Sequence, residues 1–300
     1  MRNNPKSHFI FGIKIILYLF FAGVGGGASV VGTIFHILRP QLEIVIKGGI
    51  ILGAPLVLIG SIFLLLDLGQ PKVAWRAISR PNKAWISRGT IILTTFIILG
   101  FIQIGTWIWP FQGLGNYTNF HLIFNVINGV FGVLTLIYTG FLFDTTRSIP
   151  FWSTPILPLL FLVSGLSMGI FGLILITMGS LESHSLNFLI QMDIILIILE
   201  ALIIFFYLHG MHEVTAARAS VKRLLKGDLS YQFWLGVVFI GILIPFFFEI
   251  LGGGSKSLTL IACLAGLIGG FFVRFVIVSA AEKTPLNVEG VLIYLTPRPK

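Results

Sequence analysis

The chain has 300 residues, 56% of them hydrophobic and only 10% charged, with a mean hydropathy of +0.99. That usage excludes a water-surrounded globular domain as the main architecture. A net charge of +9 would point to nucleic acid in a soluble protein. Here Lys and Arg sit in short stretches between apolar runs, which is the pattern of membrane topology, so no nucleic-acid partner is expected.

Eight apolar runs follow in chain order, at 9–38, 44–68, 86–109, 120–143, 154–179, 186–209, 229–251 and 258–281. Each is long enough for a helix to cross the hydrocarbon, because about 20 residues at 1.5 Å rise span its ~30 Å. Helices rather than a barrel are expected, since no run alternates polar and apolar and unpaired backbone cannot face lipid. The reading is an all-α integral membrane protein of eight transmembrane helices, arranged as two four-helix bundles. The first run also invites comparison with a signal peptide, as Arg2 and Lys6 precede it. Its apolar stretch is far longer than a signal core. Its glycines, Gly23, Gly25, Gly26 and Gly27, instead suit a helix that others approach closely.

Of the 20 Lys and Arg, Arg39, Lys47 and Lys256 fall on one side of these spans and Arg274 lies inside the last. All the others fall on the side carrying both termini, which the positive-inside rule places in the cytoplasm. The busiest polar stretch, 64–82, lies on that side between the second and third runs. Its pattern of Val73, Ala74, Ala77 and Ile78 against Lys72, Arg76 and Arg80, with Trp75, reads as a short interfacial helix or a platform for a partner. The single cysteine, Cys263, lies in an apolar run. The polypeptide can therefore form no internal disulfide and no Cys-ligated cluster, and any iron–sulfur centre must belong to a partner.

In this stretch Asp67-Leu68-Gly69-Gln70-Pro71, Trp75-Arg76 and Arg80-Pro81-Asn82 resemble the signature loop of the polysulfide-reductase membrane subunits of the NrfD/PsrC type. The glycine-rich segment 18–28, the segment 138–169 and the closing segment 269–285 are similar to the first, the fourth-to-fifth and the last helices of that family. The resemblance makes residues 1–300 a single membrane domain. Departures are Gln70, where the family commonly has Arg, and Ala281-Glu282, where Gly-Gln is common. The resemblance implies a membrane anchor and quinone-interacting subunit of a respiratory oxidoreductase. Such a subunit passes electrons between the quinone pool, menaquinone or ubiquinone, and a ferredoxin-like four-cluster iron–sulfur subunit. That partner in turn serves a molybdopterin oxidoreductase or a multihaem cytochrome. The membrane subunit itself would carry no haem or cluster.

Quinone chemistry moves protons with electrons, so it calls for carboxylate, His or Tyr near a membrane rim. His8, Lys14, Asp67, Tyr138 and Asp144 all fall toward the rim that bears the termini. In this reading Tyr138 donates to a ring carbonyl, Asp67 relays a proton with His8 nearby, and Lys14, Arg76 and Arg88 bias the local potential toward an anionic ring. The plainer alternatives are a helix-terminal Asp67 paired with an Arg and a Tyr138 in the aromatic belt. A second set lies deeper. Asp193 and Glu200 share a face of the sixth helix, and Arg274 is placed to pair with Glu200 as a structural lock. The alternative is a proton path continued by Glu182, His184 and Glu249. His8, His36, His121, His184, His209 and His212 fall at helix ends and read as interfacial, which disfavours a haem-bearing cytochrome b anchor. A secondary transporter would be expected to show broken helices, and Pro55, Pro155, Pro158 and Pro245 are weak support for one.

Overall fold

The computed structural model describes residues 12–67, 85–107, 118–144, 149–214, 217–252, 255–281, 286–288 and 291–293. Eight of its helices are long and apolar enough to span a membrane. They are α1 (Ile13–Leu38), α2 (Glu43–Asp67), α3 (Trp85–Trp107), α4 (Thr118–Asp144), α5 (Ile156–Thr177), α6 (Ser183–Glu213), a seventh span Gln232–Gly252, and α9 (Lys256–Ser279). The seventh span begins as a π-helical segment (Gln232–Leu243) and continues as α8 (Ile244–Gly252). A short helix, α7 (Arg218–Lys226), precedes it. After α9 a small antiparallel hairpin pairs β1 (Leu286–Val288) with β2 (Val291–Ile293). The interfacial segment expected around 72–84 lies outside the described residues.

Helices α1 to α4 form one ring of neighbours, and α5, α6, α8 and α9 form a second. The rings meet where α1 packs on α5 and α9, and where α4 and α2 reach α5. Burial follows from this arrangement. Within the spans, 83% of α1, 72% of α5 and 61% of α9 are enclosed, against 22–39% for the other five. Those five present Ile, Leu and Phe outward, as with Ile98, Ile195, Phe205 and Leu251, which is what lipid requires of an outer face. We call the end where α1 begins and α9 finishes the first rim, and the opposite end the second rim.

The centre depends on side chains that are missing. Four positions of α1 each face a different helix: Gly23 meets Arg274 of α9, Gly25 the Gly53 carbonyl of α2, Gly26 Leu136 of α4, and Gly27 the Gly165 backbone of α5. Gly169 of α5 lies directly against the Gly27–Ala28 peptide. Apolar area contributes little to helix association in lipid, so this close backbone contact supplies the packing that apolar side chains supply in water. The π-helical segment uses the same device, with Gly241 against the Gly269 backbone.

Local ties close the first rim. The short connection before α5 buries Phe151 and Trp152 completely. Trp152 Nε1 donates to Ile277 O at 2.9 Å, and Tyr207 OH donates to Phe151 O at 2.6 Å, joining this connection to α9 and α6. After α7, Arg223 donates to both carboxylate oxygens of Asp228 at 2.9 and 2.6 Å, which holds the Asp228 carboxyl below its ordinary range.

A methyl group at position 169 would overlap the Gly27 backbone, so Gly169→Ala is expected to destabilise the bundle by about 1–3 kcal/mol. Thermal unfolding in detergent reads this directly, and an unchanged midpoint would show that the α1–α5 contact is not limiting.

Candidate functional site

At the first rim, α1 and α4 bring two tyrosines together in the interior. The Tyr18 and Tyr138 hydroxyls lie 2.5 Å apart, and the two residues are only 2% and 3% exposed. Gly89 of α3 makes room for the Tyr138 ring, which any side chain at 89 would strike. Tyr138 is therefore not a member of the aromatic belt. Tyr18 carried no role in the sequence reading, although it supplies a polar tip within an otherwise apolar, glycine-rich run.

About one helical turn nearer the rim, Lys14 Nζ donates to the Leu66 carbonyl in the last turn of α2 at 2.8 Å. Beside it the half-buried Asp67 packs against Gly12, where a Cβ would stand 3.1 Å from Oδ1. Lys14 and Asp67 are thus brought to one edge, with the tyrosine pair further inside. Arg88 lies on an exposed face of α3, its guanidinium 4.9 Å from the centre of the Trp85 ring. Asp144 is half-buried at the end of α4, and its carbonyl accepts from Ser153 Oγ at 3.3 Å. His8 and Arg76 lie outside the described residues.

Inward from the tyrosines is a cavity of about 10 Å³, room for roughly one water, lined among others by Gly23, Thr135, Thr139 and Arg274. Arg274 is 2% exposed. Its Nη1 donates to Ser164 Oγ at 2.7 Å and to Gly270 O at 2.8 Å, and its Nε donates to Leu19 O at 3.4 Å. The expected direct Arg274–Glu200 ion pair does not form: among the described residues no carboxylate oxygen lies within 4.0 Å of Arg274. Ser164 stands between the two charges and interacts with both, while backbone carbonyls take the remaining guanidinium donors. Glu200 stays within electrostatic reach of Arg274, so the pairing is indirect.

Further toward the second rim, Asp193 of α6 faces Glu249 of α8 and Ser167 of α5, with Cys263 of α9 close by. Asp193 is fully buried and Glu249 is 5% exposed, yet none of their four carboxyl oxygens has a well-formed hydrogen bond among the described residues. Spacing alone did not indicate this pair, because its members come from helices far apart in sequence. Glu182 and His184 do not join them and are exposed at the start of α6.

The first bundle holds a neutral network near the second rim. His36 Nδ1 meets Asn125 Nδ2 at 2.9 Å, Gln103 Nε2 donates to Asn125 Oδ1 at 3.3 Å, and Asn128 Nδ2 donates to Gln103 Oε1 at 2.8 Å. Thr33 Oγ1 reaches the Asn125 carbonyl at 3.0 Å. Trp107 lies edge-on between His36 and His121, both of which are buried. The interfacial reading of His36 and His121 is therefore corrected. Helix-end positions point inward here because α1 is surrounded, whereas His184, His209 and His212 are exposed as expected.

Replacing Arg274 by Gln leaves Glu200 buried without its nearby cation, and the expected loss is about 3–5 kcal/mol. Adding Glu200→Gln should recover part of that stability in thermal unfolding. A single variant as stable as the parent would mean that Arg274 does not balance Glu200.

The sequence as a whole matches the family model described as polysulphide reductase, NrfD, over residues 2–285. The C component of polysulfide reductase from Wolinella succinogenes is 28% identical over 295 residues, which cover 89% of this chain and 93% of that protein. Protein NrfD of Escherichia coli is 26% identical over 318 residues, covering 95% and 99%. The C component of selenate reductase from Mesobacillus selenatarsenatis is 24% identical over 331 residues, covering 93% and 75%. The eight spans found here and a match running almost end to end make this chain a multi-pass membrane protein of the NrfD polysulphide reductase family.

Proposed function

We propose that the chain is the quinone-reactive membrane subunit of a respiratory reductase complex, exchanging electrons between the quinone pool and an iron–sulfur partner docked at the first rim. The observation that carries this reading is the buried Tyr18–Tyr138 hydroxyl pair with Lys14 and Asp67 one turn nearer the rim. The relatives named as components of polysulfide and selenate reductases support a place in such a complex. The lone Cys263 leaves a cluster to the partner. The molybdopterin or multihaem enzyme beyond that partner is part of the same proposal.

The donor set suits a quinone oxygen. Two phenol hydroxyls sharing one hydrogen bond leave one O–H free to donate and spare lone pairs to accept. Tyr138 and Tyr18 would hold the ring's polar edge, and a bound quinone supplies two-electron, two-proton chemistry there. Asp67, half in solvent, is placed to carry a proton between that edge and water. Lys14 adds positive potential at the same edge while anchored to the Leu66 carbonyl. Charge asymmetry favours a cytoplasmic first rim in the cell membrane, with both termini on that side.

A proton path through the second bundle extends this reading. Asp193, Glu249, Glu200, Ser164 and Arg274 follow one another from the second-rim half toward the tyrosine pair, with a water-sized cavity at Arg274. A carboxyl pair without a cation is suited to taking up and releasing a proton.

In the assembled complex, Asp67→Asn and Tyr138→Phe are each expected to slow quinol turnover roughly 10- to 100-fold while subunit assembly stays intact. Unchanged turnover removes the residue from the mechanism. Reconstituted vesicles should build a proton gradient beyond that of quinone chemistry, and Asp193→Asn should abolish the excess; no excess in the parent rejects the path. A reporter fused to the C-terminus, active on one side of the membrane only, should signal from the cytoplasm.

A further inference from the structure

The first rim of the second bundle carries a feature that this redox chemistry does not use. Helix α7 reads RASVKRLLK from Arg218 to Lys226. Ser220, Val221 and Leu224 turn inward, and Leu224 helps to close an apolar cavity together with Tyr207, Phe233 and Val237. Arg218, Lys222 and Lys226, four residues apart, form one exposed stripe. No acidic residue lies on the helix, and Asp228, which follows it, is taken up by Arg223. Glu213, exposed at the end of α6, is the nearest other acid along the sequence. Like charges at this spacing repel, so the stripe weakens its own helix unless something anionic lies over it.

The aromatic residues that follow fix the level at which the stripe lies. Trp234, on a lipid-facing span and 53% exposed, donates from Nε1 to the Leu225 carbonyl at 3.2 Å. Tyr231, three residues earlier, is 71% exposed. Indole and phenol rings with one apolar and one polar end settle at the headgroup layer. A Trp tied to the last turn of α7 therefore holds the cationic stripe at phosphate depth. The two elements that α7 packs against, α6 and the π-helical segment, expose Phe205, Phe206 and Phe239 at lipid-facing positions.

We propose that Arg218, Lys222 and Lys226, with Trp234 and Tyr231, form a binding surface for the phosphodiester headgroup of an anionic glycerophospholipid. The aromatic anchors and exposed apolar walls favour lipid over an acidic protein surface, which would have no use for side chains sunk at acyl-chain depth. The surface rests on the membrane reading alone and is independent of quinone chemistry.

The test uses the purified full-length protein in non-ionic detergent, titrated with phosphatidylglycerol, with phosphatidylcholine and with inorganic phosphate. Native mass spectrometry reads bound lipid, and the unfolding midpoint reads stabilisation. The parent is expected to favour phosphatidylglycerol, and the variant Arg218→Gln/Lys222→Gln/Lys226→Gln to bind it about tenfold or more weakly. Because these side chains are exposed, the lipid-free unfolding midpoint should stay unchanged. If removing all three charges shifts that midpoint, the single change Lys222→Glu serves in its place, with the same loss of phosphatidylglycerol preference expected. The proposal is overturned by equal binding of both lipids to the parent, by full retention in the variant, or by inorganic phosphate competing as well as the lipid. It is also overturned if the variant keeps its lipid preference but no longer copurifies with its partner subunits. Turnover is not measured, so failure here leaves the quinone proposal standing.

Discussion

The backbone contact between α1 and α5 is the constraint on which the remaining geometry depends. Gly27 meets Gly165 and Gly169 with no side chain between the two helices. In a bilayer an apolar residue gains little by leaving lipid for protein, so association relies on close packing and on polar contacts that lipid cannot provide. Once α1 is held this close to α5, Tyr18 falls opposite Tyr138, and Gly23 and the Leu19 carbonyl fall against Arg274. The same glycine run that joins the two bundles thus sets the spacing of the candidate site.

Charge in the second bundle is handled in two ways. Arg274 is surrounded by a serine hydroxyl and two backbone carbonyls, with Glu200 beyond the serine, so its field is spread over several dipoles rather than spent on one contact. Asp193 and Glu249 have no such surroundings among the described residues. An apolar pair of similar volume would fit the same helix contacts without any desolvation cost. Packing therefore does not account for these two carboxyls, and their use has to be sought in chemistry.

The two rims differ in kind. The second rim of the first bundle is closed by amides, a threonine and two buried histidines, a network of neutral groups in which Asn128 Oδ1 and Trp107 Nε1 are left without partners among the described residues. The first rim carries the ionisable groups, the tyrosine pair and the cationic stripe of α7. A protein that exchanges protons with one aqueous side and presents another polypeptide there needs this asymmetry.

Length and hydropathy sufficed for eight spans, because twenty or so apolar residues have one stable form in lipid and backbone hydrogen bonding allows no other. Lys14, Asp67 and Tyr138 were legible as candidates because helix direction alone assigns each to a rim. Helix α7 was hidden, being too short and too polar to stand out from a basic loop. Tyr18, the Asp193–Glu249 pair and the inward turn of His36 and His121 were hidden for another reason. Each depends on which face of a helix meets which neighbour. A span apolar on all sides carries no periodicity that could reveal its rotation, so the glycine contacts of α1, visible only in three dimensions, decide it.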